Sequence, residues 1–471
     1  MRTKPTGATK ICLCAFVIFQ ASVLPAIART EEAVAPTQSA DVVASPSPLL
    51  KGPFYNPLKI ENWQANFQST YIWQKKPSLH AVYSGENSLI TAPETGYTLT
   101  ATLMLGYRPW IGGEIFVNPE IIQSEELSNL HGLGGLSNGE NQKSGDPKAK
   151  LYRARLFLRQ TIPIGGDSSA VVSVPNQFSS SVARRRLVVT IGNMAITDIF
   201  DGNAFSHDPR TQFMNWALWT YGAFDYAADL RGYTWGGALE YTHDNWAFRL
   251  GRFAQPKESN GLSLDFNLTA HYGDNLEIQH DHVLLGRPGK VRVLGFHNRA
   301  KMGSFRDALA YAQANGSAPT VADVRKTQSK LGFGVGLEQS ISRDAGLFVR
   351  FSFNDGQTET YAYAEIERSL AFGGTVRGRL WLRPDDTFGL ALVGNGLSAA
   401  HRDYLRAGGL GFFIGDGQLN YGIEQIAEAF YAARVFGGLW FSLDGQYVVN
   451  PAYNKDRGPA KILGFRSHVE F

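Results

Sequence analysis

Beyond its first 28 residues the chain contains no cysteine: Cys12 and Cys14 both lie in a leader-like segment. A protein exported to an oxidising compartment without cysteine has no disulfide framework, so some other device must hold it together. Long apolar runs are missing as well. The longest, Ile11 to Leu24, falls short of the roughly 20 residues that a spanning helix needs. Net charge is the third absence. Taking away residues 1–28 removes Arg2, Lys4 and Lys10 and no acidic residue, which leaves 42 residues of each sign. A balanced chain has no surplus of cations to neutralise phosphates, and that argues against a nucleic-acid partner. Finally, no Pro/Gly-rich linker divides residues 62–471, although 471 residues would otherwise suggest two or three soluble domains.

What is present divides into three segments. Residues 1–28 carry a basic start, an apolar stretch and the small-x-small site Ala26-Ile27-Ala28, which reads as a cleaved signal peptide. Residues 29–61 begin with a Pro/Ala/Ser-rich stretch containing Pro36, Pro46, Pro48 and Pro53, and read as a periplasmic N-terminal segment. Residues 62–471 are rich in glycine and aromatic residues and show a recurring unit of about ten residues with period-two alternation. The last unit is the clearest. Leu463, Phe465, Val469 and Phe471 share one face, while Arg466, His468 and Glu470 share the other. Ala345, Leu347, Val349, Phe351 and Phe353 alternate in the same way with Arg350, Ser352 and Asn354. A soluble sandwich shows such alternation too. With this many strands and no second layer of helices to cover them, the pattern favours an all-β transmembrane antiparallel barrel, exported to the outer membrane of a Gram-negative cell.

Seventeen candidate strands begin near residues 63, 97, 112, 151, 185, 231, 245, 270, 289, 328, 345, 357, 373, 387, 424, 438 and 460. A single-chain bacterial barrel has an even number, so the expectation is about 16 strands, with 18 next. Parity also places residues 299–327, with a helix over Phe305 to Ala314, on the periplasmic side unless one strand is miscounted. Residues 120–150, 195–230 and 396–424 are too long for turns, and such loops often fold inward to narrow a pore.

At this point the chain resembles the carbohydrate-selective porins of the OprB family. The stretches that carry the resemblance are Gly112–Glu120, Arg153–Gln160, Asp201–Phe205 with Asp208–Asn215, Asn395–Ser398, His401–Leu405, Gly415–Tyr421, Asn450–Asn454 and the closing strand to Phe471. The resemblance implies a pore of about 16 strands that passes glucose and related sugars by diffusion. It also implies that Phe471 serves the outer-membrane barrel assembly machinery. The implied surroundings are sugars inside and outer-membrane lipid outside, with no cofactor; monomer and trimer both remain open.

A sugar site needs fixed donors and acceptors together with aromatic faces. Arginine supplies a rigid fork of donors, and carboxylates accept from hydroxyls. Arg153, Arg155 and Arg159 fall on one strand face by simple alternation. A lipid-facing arginine costs roughly 2–4 kcal/mol at the bilayer midplane, so these three are expected to line the lumen. Arg377, Arg379 and Arg383, with Trp381, form a second ladder. Glu365, Glu367, Glu424 and Glu428 are the candidate counter-charges, and Glu365 and Glu367 share parity with Tyr361 and Tyr363. Structural ion-pair networks bracing the wall are the competing reading for all of them. His280-Asp281-His282 has two metal-ligand types on one strand face but no third nearby, so no metal is expected. Gly332-Phe-Gly-Val-Gly336 sits in an alternating strand rather than before a helix, and no Gly-x-Ser-x-Gly elbow occurs; the chain is not expected to be an enzyme. The alternative function is a general diffusion porin for small polar or anionic solutes.

Overall fold

Alternation along each strand sets the architecture of the computed structural model, which describes residues 62–141, 143 and 146–471. Leu347, Val349 and Phe351 are exposed, whereas their neighbours Phe348, Arg350, Ser352 and Asn354 are buried. The apolar face therefore points outward and the polar face inward, the reverse of a soluble sheet and the arrangement that lipid requires. Expectations for residues 1–61 lie outside the described residues.

Sixteen strands make one closed antiparallel barrel. They are β1 (Trp63–Lys76), β2 (Glu94–Trp110), β3 (Gly113–Glu125), β4 (Lys150–Val171), β5 (Ser180–Met194), β6 (Thr234–His243), β7 (Trp246–Phe253) and β8 (Tyr272–Leu284), followed by β9 (Arg287–Met302), β10 (Lys326–Ser340), β11 (Ala345–Asn354), β12 (Arg368–Gly378), β13 (Arg383–Gly396), β14 (Glu424–Phe436), β15 (Leu439–Val449) and β16 (Ala460–Glu470). Each strand pairs with its sequence neighbours, and β1 pairs with β16 to close the ring. Closure leaves no free edge, so every backbone polar group in the wall finds its partner within the protein. No helix among the described residues is long and apolar enough to cross a membrane.

The seam is finished by the last residue. Phe471 N–H donates to the Phe67 carbonyl at 2.9 Å, Phe67 N–H donates back at 2.8 Å, and the two rings lie 5.2 Å apart. Each bond contributes about 1 kcal/mol net. Deleting Phe471 is expected to lower the folded fraction recovered on refolding into lipid vesicles, read from heat-modifiable gel mobility. Phe471→Tyr should retain it. Equal yields from the deletion and the full chain would show that the seam does not need the residue.

One end of the barrel carries tight turns such as Leu285-Gly286, both at positive φ (52° and 71°), the geometry of a two-residue hairpin turn. The opposite end carries the long connections 77–93, 126–149, 195–233, 254–271, 303–325, 355–367, 397–423 and 450–459. In outer-membrane barrels the long loops are extracellular and the turns periplasmic. The seventeenth candidate strand, near residue 357, is not one. Residues 358–367 are buried without alternation, whereas a wall strand buries every second residue. This segment is an inward loop: the Asp225 carboxylate accepts the backbone N–H groups of Tyr361 and Ala362. With that strand removed the parity conflict disappears. Residues 303–325, with helix Phe305–Asn315, lie at the extracellular end, not the periplasmic one.

Candidate functional site

Folding a loop into a barrel buries backbone N–H groups, and each needs an acceptor. The wall supplies carboxylates. Glu424, at the start of β14, accepts from Gly134 N–H (2.9 Å) and Gly135 N–H (2.6 Å) of loop 126–149, and from Ala452 N–H (2.9 Å). Glu428, four residues along, accepts from Met214 N–H (2.5 Å) and Asn215 N–H (2.9 Å) of loop 195–233. The same loop is held by Glu277 through Asp201 N–H (2.8 Å) and by Glu338 through Ala204 N–H (2.9 Å). On β11 and β10, Arg350 donates to the Ser206 and Leu218 carbonyls, and Lys330 pairs with Asp225 at 2.9 Å. Loop 195–233 thus lies across the lumen. Its short helix Trp216–Trp219 is capped by the Asn215 side chain, and the Trp216 ring stacks 4.3 Å from Tyr363.

Beside this loop two cavities remain, of about 370 and 430 Å³. They share Arg155, Pro175, Asn176 and Asp198, and so meet at that ring. Asn176 reaches it because the hairpin of β4 and β5 bends inward near Gly165 and Gly166, whose φ values of 151° and 80° suit glycine, with register breaks on either side. Gln64 of β1 ties the hairpin tip in place by donating to the Val174 carbonyl (2.8 Å) and the Gln177 carbonyl (3.0 Å).

Arg155 grips Asp198 with two bonds of 2.7 Å, and its guanidinium lies 5.3 Å from the Tyr233 ring. On the extracellular side Arg210 bridges Glu140 (2.8 Å) and Glu120 (3.2 Å), and Tyr152 donates its hydroxyl to Glu120. Burial pushes the Glu140 carboxyl up, against the pull of Arg210. Trp216, Trp219 and Tyr226 add aromatic faces to this cavity. On the periplasmic side Arg159 donates to the Asn176 carbonyl at 2.9 Å and lies 3.4 Å from Glu114. Arg249 there is held between Glu240 (3.0 Å) and Glu277 (2.7 Å). The lining therefore offers rigid donor forks, carboxylate acceptors and ring faces in one place, with each of these arginines already matched to a carboxylate.

The residues expected from sequence divide into three groups. Arg155 and Arg159 line the cavities. Arg153 does not share their face. A bulge opposite Asn118 and Pro119 inserts a residue into β4 and resets the alternation, so Arg153 is exposed and packs 5.1 Å from the Trp235 ring. Arg377, Arg379 and Trp381 make no lumenal ladder either. They lie where β12 ends in the turn before β13, with Arg379 paired to Asp344 at 3.0 Å and the Trp381 indole donating to the Tyr431 hydroxyl at 3.0 Å. Glu365, Glu424 and Glu428 are buried acceptors for backbone. Glu365 takes the Phe413 (2.8 Å) and Ile414 (3.0 Å) N–H groups of loop 397–423, and His401 of helix Ala399–Arg406 sits 3.7 Å away and 2.8 Å from Glu367. Burial raises the Glu365 carboxyl. For His401 burial acts downward, but the two carboxylates outweigh it and the imidazole is raised.

Asp198, Arg210, Glu120, Tyr152, Tyr233 and Asn176 were missed. Two of them had a signal: Glu120 closes the stretch Gly112–Glu120, and Arg210 lies inside Asp208–Asn215, both already marked by resemblance.

Among solved structures the chain is similar to Pseudomonas putida OprB in its high-pH structure, with a TM-score of 0.64 at 16% identity over 87% of this chain and 94% of that one. It is less similar to the outer-membrane channel DcaP of Acinetobacter baumannii, with a TM-score of 0.48 at 11% identity over 87% of this chain and 97% of that one. The first likeness shows the fold. Comparison with curated proteins gave no match. The family model described as "Carbohydrate-selective porin, OprB family" matches residues 86–471, most of the chain and all of the cavity lining but Gln68, and the chain belongs to that family.

Proposed function

We propose that this porin passes glucose and related small sugars by passive diffusion, and that Arg155 and Arg159, with Arg210 and the facing carboxylates, hold the sugar at the narrow ring. The observation that carries this reading is the matching of every lining arginine described above to a carboxylate. In Arg155–Asp198, Arg210–Glu120/Glu140, Arg159–Glu114 and Arg249–Glu240/Glu277, four arginines meet six carboxylates, so that donors and acceptors stand side by side. Such a lining suits a neutral polyol, because hydroxyls can replace water on both partners, and it holds the solute weakly enough to release it. An anion-selective pore needs a large excess of cations; the two linings together hold seven (Lys143, Arg155, Arg159, Arg186, Arg210, Arg231, Arg249) against six carboxylates (Glu114, Glu120, Glu140, Asp198, Asp208, Glu240), a balance that argues against the general anionic reading.

Single-channel current in a planar bilayer tests this. Titrating glucose is expected to give concentration-dependent block of open steps, with a disaccharide blocking at a different concentration. Open steps without block, accompanied by strong anion preference, would replace the sugar pore with a general one.

A further inference from the structure

The outer wall carries a feature that transport does not use. Between β5 and β10 the lipid-facing surface is indented by a cavity of about 750 Å³. Its sides are the exposed apolar residues Ile191, Leu239, Leu250, Leu276 and Leu331. The indentation exists because Gly237 and Gly295 carry no side chain there: a Cβ on Gly295 would meet nothing within 4 Å, and one on Gly237 only ordinary contacts of 3.5 Å and beyond. Two such glycines, on β6 and β9, open onto one gap wide enough for an occupant of its own.

The same strand face leads from the gap to positive charge. Alternation on β9 puts Gly295, His297, Arg299 and Lys301 in one outward column running toward the extracellular loops. At about 3.3 Å per residue, Arg299 lies ~13 Å and Lys301 ~20 Å along the strand from Gly295. A strand tilted by about 40° makes these depths comparable to one leaflet, half of the ~30 Å hydrocarbon core. At the gap's upper edge Arg252 is already held by Asp274 (two bonds of 2.7 Å) and lies 4.0 Å from the Tyr272 ring, and His297 contacts the Ser329 hydroxyl at 3.0 Å. Arg299 and Lys301 are different. Both are exposed, Arg299 spends only Nε on the Ala270 carbonyl (3.1 Å), and neither forms an ion pair among the described residues. Hydroxyls on the paired strand stand beside them, Ser329 opposite Arg299 and Thr327 opposite Lys301.

An apolar indentation whose outward column leads, about one leaflet away, to two uncommitted cations and hydroxyl groups fits one kind of molecule. We infer that this face seats a phosphorylated, acylated glycolipid of the outer leaflet, with an acyl chain over Gly237 and Gly295 and a phosphate on Arg299 and Lys301. The charge complementarity is specific to that end of the slot, where two cations without an ion pair meet the phosphate.

Native mass spectrometry of the full purified porin tests the seat, using a bis-phosphorylated lipid A, the same lipid without phosphates, and phosphatidylglycerol as probes. One lipid A is expected to remain bound under activation that strips phosphatidylglycerol and the dephosphorylated lipid. Gly295→Leu, which fills the slot, and the pair Arg299→Glu with Lys301→Glu should each weaken that adduct about tenfold. Gly445 supplies the control: it is on the outer face of β15, and a Cβ there also meets nothing within 4 Å. Gly445→Leu should leave the adduct unchanged, and all variants should keep wild-type heat-modifiable mobility. Equal retention of the three lipids, equal loss in Gly445→Leu, or a dimer or trimer mass in place of the lipid adduct would each overturn the inference. Glucose block is read separately, so loss of the lipid seat and failure of the sugar reading are told apart.

Discussion

Glu428→Ala is expected to raise single-channel conductance and weaken glucose block while leaving the barrel folded. Glu428 is the acceptor for two adjacent backbone N–H groups, Met214 and Asn215, both in fully buried residues. Leaving a buried donor without a partner costs roughly 1–3 kcal/mol, so the loop loses about 2–6 kcal/mol of anchoring at one point. The wall loses little, because the β13–β14 and β14–β15 ladders run through backbone. What moves is the loop. Asn215 caps the short helix and also bonds Gln446 at 3.1 Å, so its displacement carries Trp216 away from Tyr363. Arg210, five residues before Asn215, then loses its position between Glu120 and Glu140. Glu428→Gln keeps one acceptor oxygen and should fall between the two. Planar-bilayer recording reads conductance and block, and gel mobility with and without heating reads the wall. Unchanged conductance in a folded Glu428→Ala barrel would mean that the remaining anchors, Glu277, Glu338 and Arg350, hold the loop by themselves.

The same glutamate shows why the wall was legible in the sequence and the site mostly was not. A strand between lipid and lumen must alternate, and that rule exposes itself in Leu347, Val349 and Phe351 and in the closing strand to Phe471. Counting the alternating units and requiring an even number gave about 16 strands, and the family resemblance implied the same. Alternation says only which way a side chain points, however, and not what it meets. Glu424 and Glu428 do point inward, but they meet loop backbone, and a backbone N–H has no signature in sequence. Arg153 failed through the rule's one weakness: an inserted residue at the bulge flips every position on one side of it. Residues 357–367 failed in the opposite way. Their Tyr/Glu spacing imitates a strand, yet residues 358–367 are surrounded by protein on all sides, where alternation has no meaning. The lumenal position of Arg155 was legible because it is a wall residue within a family stretch. Its partner Asp198 was not, because only the course of loop 195–233 brings it there.

That asymmetry shapes the second large effect, at the ring itself. Arg155→Ala is expected to remove detectable glucose block and to shift the pore toward cations. The side chain is partly open to the cavity, 16% exposed, and Asp198 is 30% exposed, so a solute can reach both. A hydrogen bond to a charged group contributes roughly 1.5–3 kcal/mol, which corresponds to an increase of about ten- to a hundredfold in the half-blocking concentration. Removing the guanidinium also leaves the Asp198 carboxylate unmatched at the junction of the two cavities, which is the source of the cation preference. Arg155→Lys separates the two effects. It restores the charge and hence the ion selectivity, but a compact ammonium cannot reproduce the two-bond fork, so block should stay weak. Arg210→Ala should behave differently again. Glu120 is 1% exposed, and breaking a buried pair costs roughly 3–5 kcal/mol because the surviving charge has nowhere to go. That penalty falls on the packing of loops 126–149 and 195–233 as well as on the sugar, so Arg210→Ala should lose block and gain conductance together. If Arg155→Ala blocks like the parent while Arg210→Ala does not, the sugar is held on the extracellular side, by Arg210, Tyr152 and the tryptophans, and the narrow ring serves only to set the size limit.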